Sequence, residues 1–229
     1  MKLTLPVVLS FNGGYVDTSG FLALQGLFTA HVTGNFVTFG AAMVLGTSGA
    51  IAKLLALPVF CAVIVGSRLL GLSLAARNLP DLRILMGLKL VLLAAAAAIF
   101  IMLGPFHNAD ALPALAAGML LVAAMAIQNG VHRTHLPEAA PSTLMTGSTT
   151  QIMVDLTDLM RTIPEPQRHT ARARLRRLAM NVAAFALGCG MAALLFAIAG
   201  VWSFLLPPVI AFAGFFVPLA DAPPAAGKA

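Results

Sequence analysis

The sequence predicts an all-α membrane protein with about six transmembrane helices plus two short re-entrant or broken helices, arranged as two inverted three-helix repeats. Three observations lead there. Hydrophobic residues make up 59% of the 229 and charged residues only 10%, where a soluble domain carries about 25% charged residues. That leaves too little polar surface to cover a globule in water. The apolar residues also fall in blocks of membrane-crossing length, roughly 20 residues each. Finally, Lys and Arg cluster at the ends of those blocks, on some linkers and not on others, which is the topogenic pattern of membrane proteins. The blocks are read as helices because an open sheet cannot satisfy its backbone in lipid.

The first block, 7–28, lies behind Lys2 and overlaps a short apolar run, Leu3 to Phe11. No small-x-small cleavage site follows that run, so it reads as the start of a span and not as a signal peptide. The other long blocks are 56–76, 84–104, 112–132, 179–200 and 203–219. Two shorter segments, 33–46 and 144–160, each begin with a Thr-Gly step close behind a long block. Six of the fourteen Lys and Arg residues precede the fifth block (Arg161, Arg168, Arg172, Arg174, Arg176 and Arg177), and Arg77 and Arg83 join the second block to the third. The linkers at 105–111 and 200–203 hold no Lys or Arg. By the positive-inside rule the first pair of linkers faces the cytoplasm and the second pair the outside. Segment 144–160 must then return to the side it left, because crossing would carry six arginines outward. The same logic makes 33–46 return on the outer side, as a re-entrant or an interfacial segment, and both termini are expected in the cytoplasm. The chain divides into repeats at 1–105 and 106–220, one membrane domain, with a Pro- and Ala-rich tail, 221–229, expected to be disordered.

Net charge is +6 and the pI about 10.2. In a soluble chain that balance suggests nucleic acid; here the basic residues are topogenic, and the expected partner is the lipid bilayer. Cys61 and Cys189 lie inside apolar blocks and read as packing residues, not as a disulfide or metal set.

The two short segments resemble each other. Val32-Thr33-Gly34-Asn35 is matched 113 residues later by Met145-Thr146-Gly147-Ser148. Each half has three long blocks, an odd number, so the second half is inverted relative to the first. Inverted repeats with interrupted helices are a recurring plan for transporters. The second block of each half also carries small residues, Gly66, Ser67 and Gly71 against Gly188, Cys189 and Gly190. The stretch Gly14-Tyr15-Val16-Asp17, followed by Phe28-Thr29-Ala30-His31-Val32-Thr33-Gly34-Asn35, resembles the YoaK-like family of bacterial membrane proteins. The second signature is Ala126-Ile127-Gln128-Asn129-Gly130, followed by Leu144-Met145-Thr146-Gly147. The resemblance spans nearly the whole chain. It implies a bacterial inner-membrane protein and no particular activity, since that family is of unknown function. Ser148 and Thr149 stand where members of the family vary, so no role is carried over to them.

Asp17 lies about ten residues into the first block, where a carboxylate costs a few kcal/mol. It is a proton, cation or counter-charge site, a structural partner of Arg68, or a shallow position wetted from the cytoplasm. Thr33, Gly34 and Asn35, with Thr146, Gly147 and Ser148, would start half-helices whose free N–H groups point inward and bind a solute near the midplane; capping alone is the simpler alternative. His31, just before the first break, would contact substrate or serve as a structural hydrogen-bonding group. Gln128 and Asn129 correspond loosely to the Asp17 region and would hydrogen-bond across helices. Arg68 snorkels, pairs with Asp17 or binds an anion. Gln151, Asp155 and Asp158 share a helix face with Ser148; Arg68, Gln151 and Asp155 are candidates for a polar path, the alternative for the stripe being an amphipathic helix whose polar side meets water. His132 and His135 flank Arg133 and belong to an interfacial belt.

No catalytic grouping, phosphate loop, metalloprotease helix or haem motif is visible, so no enzyme, metal or cofactor is expected. The expectation is a small-solute transporter or permease, its solute or ion unidentified, binding near the paired Thr-Gly breaks. A channel of the same architecture and a non-transporting scaffold are the alternatives. Halves this small would enclose a wide path more readily as a homodimer, which the sequence leaves open.

Overall fold

The computed structural model describes residues 3–143, 145–161 and 164–219. Among these the secondary structure is entirely helical: α1 (Leu5–Ala23), α2 (Asn35–Leu45), α3 (Ala50–Ala76), α4 (Asp81–Leu103), α5 (Leu112–His135), α6 (Met145–Met160), α7 (Glu165–Ala199) and α8 (Leu206–Ala213), with 3-10 turns at Val32–Gly34, Gly200–Leu205 and Gly214–Phe216. Four helical stretches are long and apolar enough to cross a membrane, namely α3, α4, α5 and the run Glu165–Phe216 that begins with α7. The expected disordered tail lies outside the described residues, as does Leu144.

Several boundaries differ from the sequence expectation for physical reasons. The first block, read as 7–28, is helical only to Ala23. Gln25 (φ 52°) and Gly26 (φ 92°) are left-handed and turn the chain away from the helix axis. α1 is not one of the four long apolar stretches, because Asn12, Gly13, Gly14 and Asp17 dilute it. It is instead buried on nearly all sides. α3 begins at Ala50, six residues before its expected start, because Gly49 (φ 89°) ends the preceding turn and the side chain of Asp110 receives its first N–H groups. α7 extends back to Glu165 because the arginine run is itself helical. The last block, 203–219, is a mixed 3-10 and α path: Gly200, with φ 55° and ψ −130°, ends α7, and Pro207 and Pro208 remove donors where α8 begins.

Contacts along the helices fix their directions. α1 and α5 are antiparallel: Gly13 faces Gln128, and Gly20 faces Leu121. α4 and α5 are also antiparallel, since Lys89 reaches Gln128 and Asp81 reaches His135. After Gly200 the chain runs back, with Phe204 stacked on Phe100 at a ring distance of 3.7 Å and Gly214 beside Leu5 and Met86. Pro218 O then accepts the Leu5 N–H at 3.0 Å, so the two described ends meet on one side. The packing follows a reciprocal pattern. α1 packs on α7 and α8, and α5 packs on α3 and α4; α2 rests on α3, and α6 rests on α7.

Small residues set the closest approaches. A Cβ on Gly188 would lie 2.1 Å from the Phe11 carbonyl oxygen, and one on Gly14 would lie 2.2 Å from that of Phe185. Cys189 belongs to the same seam, its Sγ 3.4 Å from the Gly14 carbonyl. Gly66 and Gly190, read from the sequence as members of the small-residue sets, face open space.

Candidate cavity between the broken segments

The chain leaves α1 beside Gly118 near the start of α5, where Leu24 and Leu27 pack. It then descends without helix to His31, which shares a cavity with Asn129 and Gly130 near the end of α5. Residues 24–31 therefore run back into the bundle, and α2 climbs out again. Backbone without helix needs other partners when buried, and Asp17 supplies them. Its Oδ1 accepts the N–H groups of Thr29 and Ala30, both at 2.7 Å, and the Thr29 hydroxyl at 3.3 Å. Its Oδ2 lies 2.7 Å from His31 Nδ1. Asp17 therefore pairs with His31, and the expected alternative partner, Arg68, makes no ion pair among the described residues. Asn35 closes the turn: Oδ1 accepts the Phe28 N–H at 2.9 Å and Nδ2 donates to the Phe28 carbonyl at 2.8 Å. Gly34 is there because a Cβ would stand 3.0 Å from the Phe28 ring.

The segment after α5 also runs back into the bundle. Gln128, fully buried, donates through Nε2 to the Leu9 carbonyl (2.9 Å) and to Ser142 Oγ (3.1 Å). Its Oε1 accepts a hydrogen bond from Nζ of fully buried Lys89 at 2.5 Å. The Thr143 hydroxyl donates to Asn129 Oδ1 at 2.7 Å, and Asn181 Nδ2 holds the Ala140 carbonyl at 2.7 Å. The two returning segments touch where His31 meets the backbone of Thr143. The sequence placed this meeting at the two Thr-Gly steps; the contact falls three residues earlier in the second half. Thr33 lines the cavity, whereas Thr146 lines a separate shallow groove along α6, and Gly147 faces open space. Ser148 is buried in the first turn of α6.

Gln151 and Asp155 have a different role from the expected path. Gln151 Nε2 donates to Asp155 Oδ1 at 2.8 Å, and Arg174 grips the same buried carboxylate through Nε (2.9 Å) and Nη2 (2.5 Å). The Arg174 guanidinium holds the Asp155 carboxyl below the usual carboxylate range. These residues clamp α6 onto α7 and do not line the cavity. Arg68 does line it.

The cavity is about 440 Å³ and lies between α3, α5 and the descending segment. Its walls combine apolar Phe60, Ile64 and Leu85 with the polar groups of Ser67, Asn129 and Thr134. At the end opposite the collar, His135 Nε2 meets Asp81 Oδ2 at 2.8 Å. The collar itself joins the far ends of α1, α3 and α5. Asp110 takes the Gly49 N–H (2.8 Å) and the Ala52 N–H (3.1 Å), Ser48 Oγ accepts the Ala109 N–H (3.1 Å) and donates to Gln25, and Gln25 Nε2 reaches the His107 carbonyl at 2.9 Å.

Sequence reasoning missed Lys89, Ser142 and Thr143. An ionisable residue within the apolar block 84–104 was a readable signal for Lys89; nothing marked Ser142 and Thr143 beyond their place after α5. The profile of a family described as "Protein of unknown function (DUF1275)" matches residues 5–217. No curated protein and no solved structure matches the chain.

Proposed function

This chain belongs to the DUF1275 family of proteins of unknown function, and we propose that it is a small-solute permease of the bacterial inner membrane, built from two inverted repeats. The observation that carries the proposal is the cavity bounded by a returning segment and by Asn129, opposite the hydrogen-bonded collar. The reciprocal packing supports the two repeats, since exchanging α1, α2, α3 and α4 for α5, α6, α7 and α8 carries the packing of α1 on α7 and α8, and of α2 on α3, onto that of α5 on α3 and α4, and of α6 on α7. In this view six segments cross, α1 and the path through α8 included. The side carrying the arginines and both described ends faces the cytoplasm. The collar is the closed outer gate, and the repeats rock about the His31–Thr143 contact to open it.

Side-specific labelling tests this without knowing the solute. In a variant with Cys61 and Cys189 replaced by Ser, Thr33→Cys in oriented proteoliposomes is exposed to a membrane-impermeant maleimide from each side. Alternating access predicts labelling from both sides, with Asp110→Ala raising the outer rate. Labelling from the arginine side alone, unchanged by Asp110→Ala, would overturn it. Single-channel current in the same membranes would convert the permease into a channel.

A further inference from the structure

We propose that this cavity takes a small organic anion with an apolar body, its charged end held by Arg68 and Arg133. The inference rests on the cavity being a solute site and names the class of solute. Both arginines line the cavity, and neither side chain has a hydrogen-bond or ion-pair partner among the described residues. No carboxylate lines it. The nearby acids are committed elsewhere: Asp17 to Thr29, Ala30 and His31, and Asp81 to His135 and the Leu82 N–H. A cation entering here would meet two positive charges and no carboxylate in the wall. A neutral solute would gain no charge pairing from either arginine. An anion satisfies them, and Arg presents donors in a planar fork suited to carboxylate or phosphate oxygens.

The rest of the wall sets the remainder of the ligand. Phe60, Ile64, Leu85 and Val131 offer an apolar surface, and Ser67 and Asn129 a few fixed polar groups. A volume of about 440 Å³ falls within the roughly 300–1,000 Å³ of ordinary ligand pockets. A bare inorganic anion would leave that apolar wall uncovered, so an acid group on a hydrophobic body is the matching chemistry. A free organic acid and the acidic headgroup of a phospholipid share it.

The test uses 2-naphthoate as probe, with neutral 2-naphthamide as its near-isostere and inorganic phosphate as the bare anion. Binding is read from naphthoate fluorescence polarisation against the purified full chain in nanodiscs of zwitterionic lipid. Saturable naphthoate binding is expected, at least tenfold tighter than naphthamide and than phosphate. Arg68→Gln and Arg133→Gln should each weaken it about tenfold, and Arg68→Lys and Arg133→Lys should retain part of it. Both arginines are exposed, so these variants keep the packed interior, which far-UV circular dichroism checks. Equal binding of naphthamide, or an unchanged Kd in the double Gln variant, overturns the proposal. In nanodiscs containing phosphatidylglycerol, competitive loss of naphthoate binding assigns the same anion site to a lipid headgroup; unaltered binding assigns it to a free acid. Flux is read separately. Naphthoate binding without uptake into proteoliposomes keeps the anion site and removes the permease, while maleimide labelling from both sides without naphthoate binding does the reverse.

Discussion

Removing the Asp17 carboxylate is expected to release the descending segment, and the structure sets the size of the effect. Asp17 is 4% exposed, and its two oxygens receive the Thr29 and Ala30 N–H groups and His31 Nδ1. Asp17→Ala leaves two main-chain donors without a partner in a site that water reaches poorly. Each such donor costs about 1–3 kcal/mol, so the variant is expected to lose roughly 2–6 kcal/mol in all. Asp17→Asn keeps an acceptor at the Oδ1 position. Its new amide donates to His31 Nδ1 once that ring carries its proton on Nε2, and the loss falls to about 1 kcal/mol. The assay is an SDS-unfolding titration in detergent micelles, followed by far-UV circular dichroism, comparing wild type, Asn and Ala. Thr33→Cys labelling in the same three backgrounds gives an independent readout, expected to accelerate only with Ala. Equal stability of the Ala and Asn variants, with equal labelling rates, would refute Asp17 as the anchor of the segment.

Three further outcomes follow from the packing. Gly188→Ala places a Cβ where the Phe11 carbonyl sits, 2.1 Å away, and should lower stability by about 1–3 kcal/mol; Gly190→Ala, which meets nothing within 4 Å, should leave the thermal midpoint unchanged or slightly raised. Gln128→Leu strands the buried Lys89 amino group and should cost about 1–3 kcal/mol, much of it recovered when Lys89→Met is added, so a double-mutant cycle of SDS-unfolding energies that shows no coupling would remove the pair. The Asp155 carboxyl titrates below its ordinary value when folded, so its contribution is complete above the unfolded carboxylate pKa of about 3.9 and is lost as pH falls through the lower folded value. The acid limb of an unfolding-midpoint profile should therefore flatten in Asp155→Asn and stay unchanged in Asp158→Asn.

Much of the architecture was legible because membrane segments announce themselves through length and apolarity. α4 and α5 lie within a few residues of their expected blocks, whereas α3 begins six residues early, its start hidden by Lys53. That cation is buried with its ammonium 3.4 Å from the Ser48 carbonyl, and a Lys in an apolar window reads as a boundary. α1 shows the reverse error. Its hydrophobicity continues through Leu24, Leu27 and Phe28, yet the helix has already ended at Ala23. Periodicity does not distinguish a helix from an apolar extended segment held by a distant carboxylate, because the anchor, Asp17, is a tertiary partner. Gln151 and Asp155 were assigned to a path for a similar reason. Their shared face was visible in the sequence, but the Arg174 opposite them, 19 residues on, was visible only as one of a run of arginines.

The displaced meeting point follows from how each half satisfies its returning backbone. In the first half the descending segment presents main-chain N–H groups, which need an acceptor, and a carboxylate supplies it. In the second half the returning chain presents the hydroxyls of Ser142 and Thr143, which both donate and accept. They are met by two amides, Gln128 and Asn129, that do the same. The two returning segments thus use different chemistry, and a search for a repeated tetrapeptide finds the Thr-Gly steps while passing over the contact.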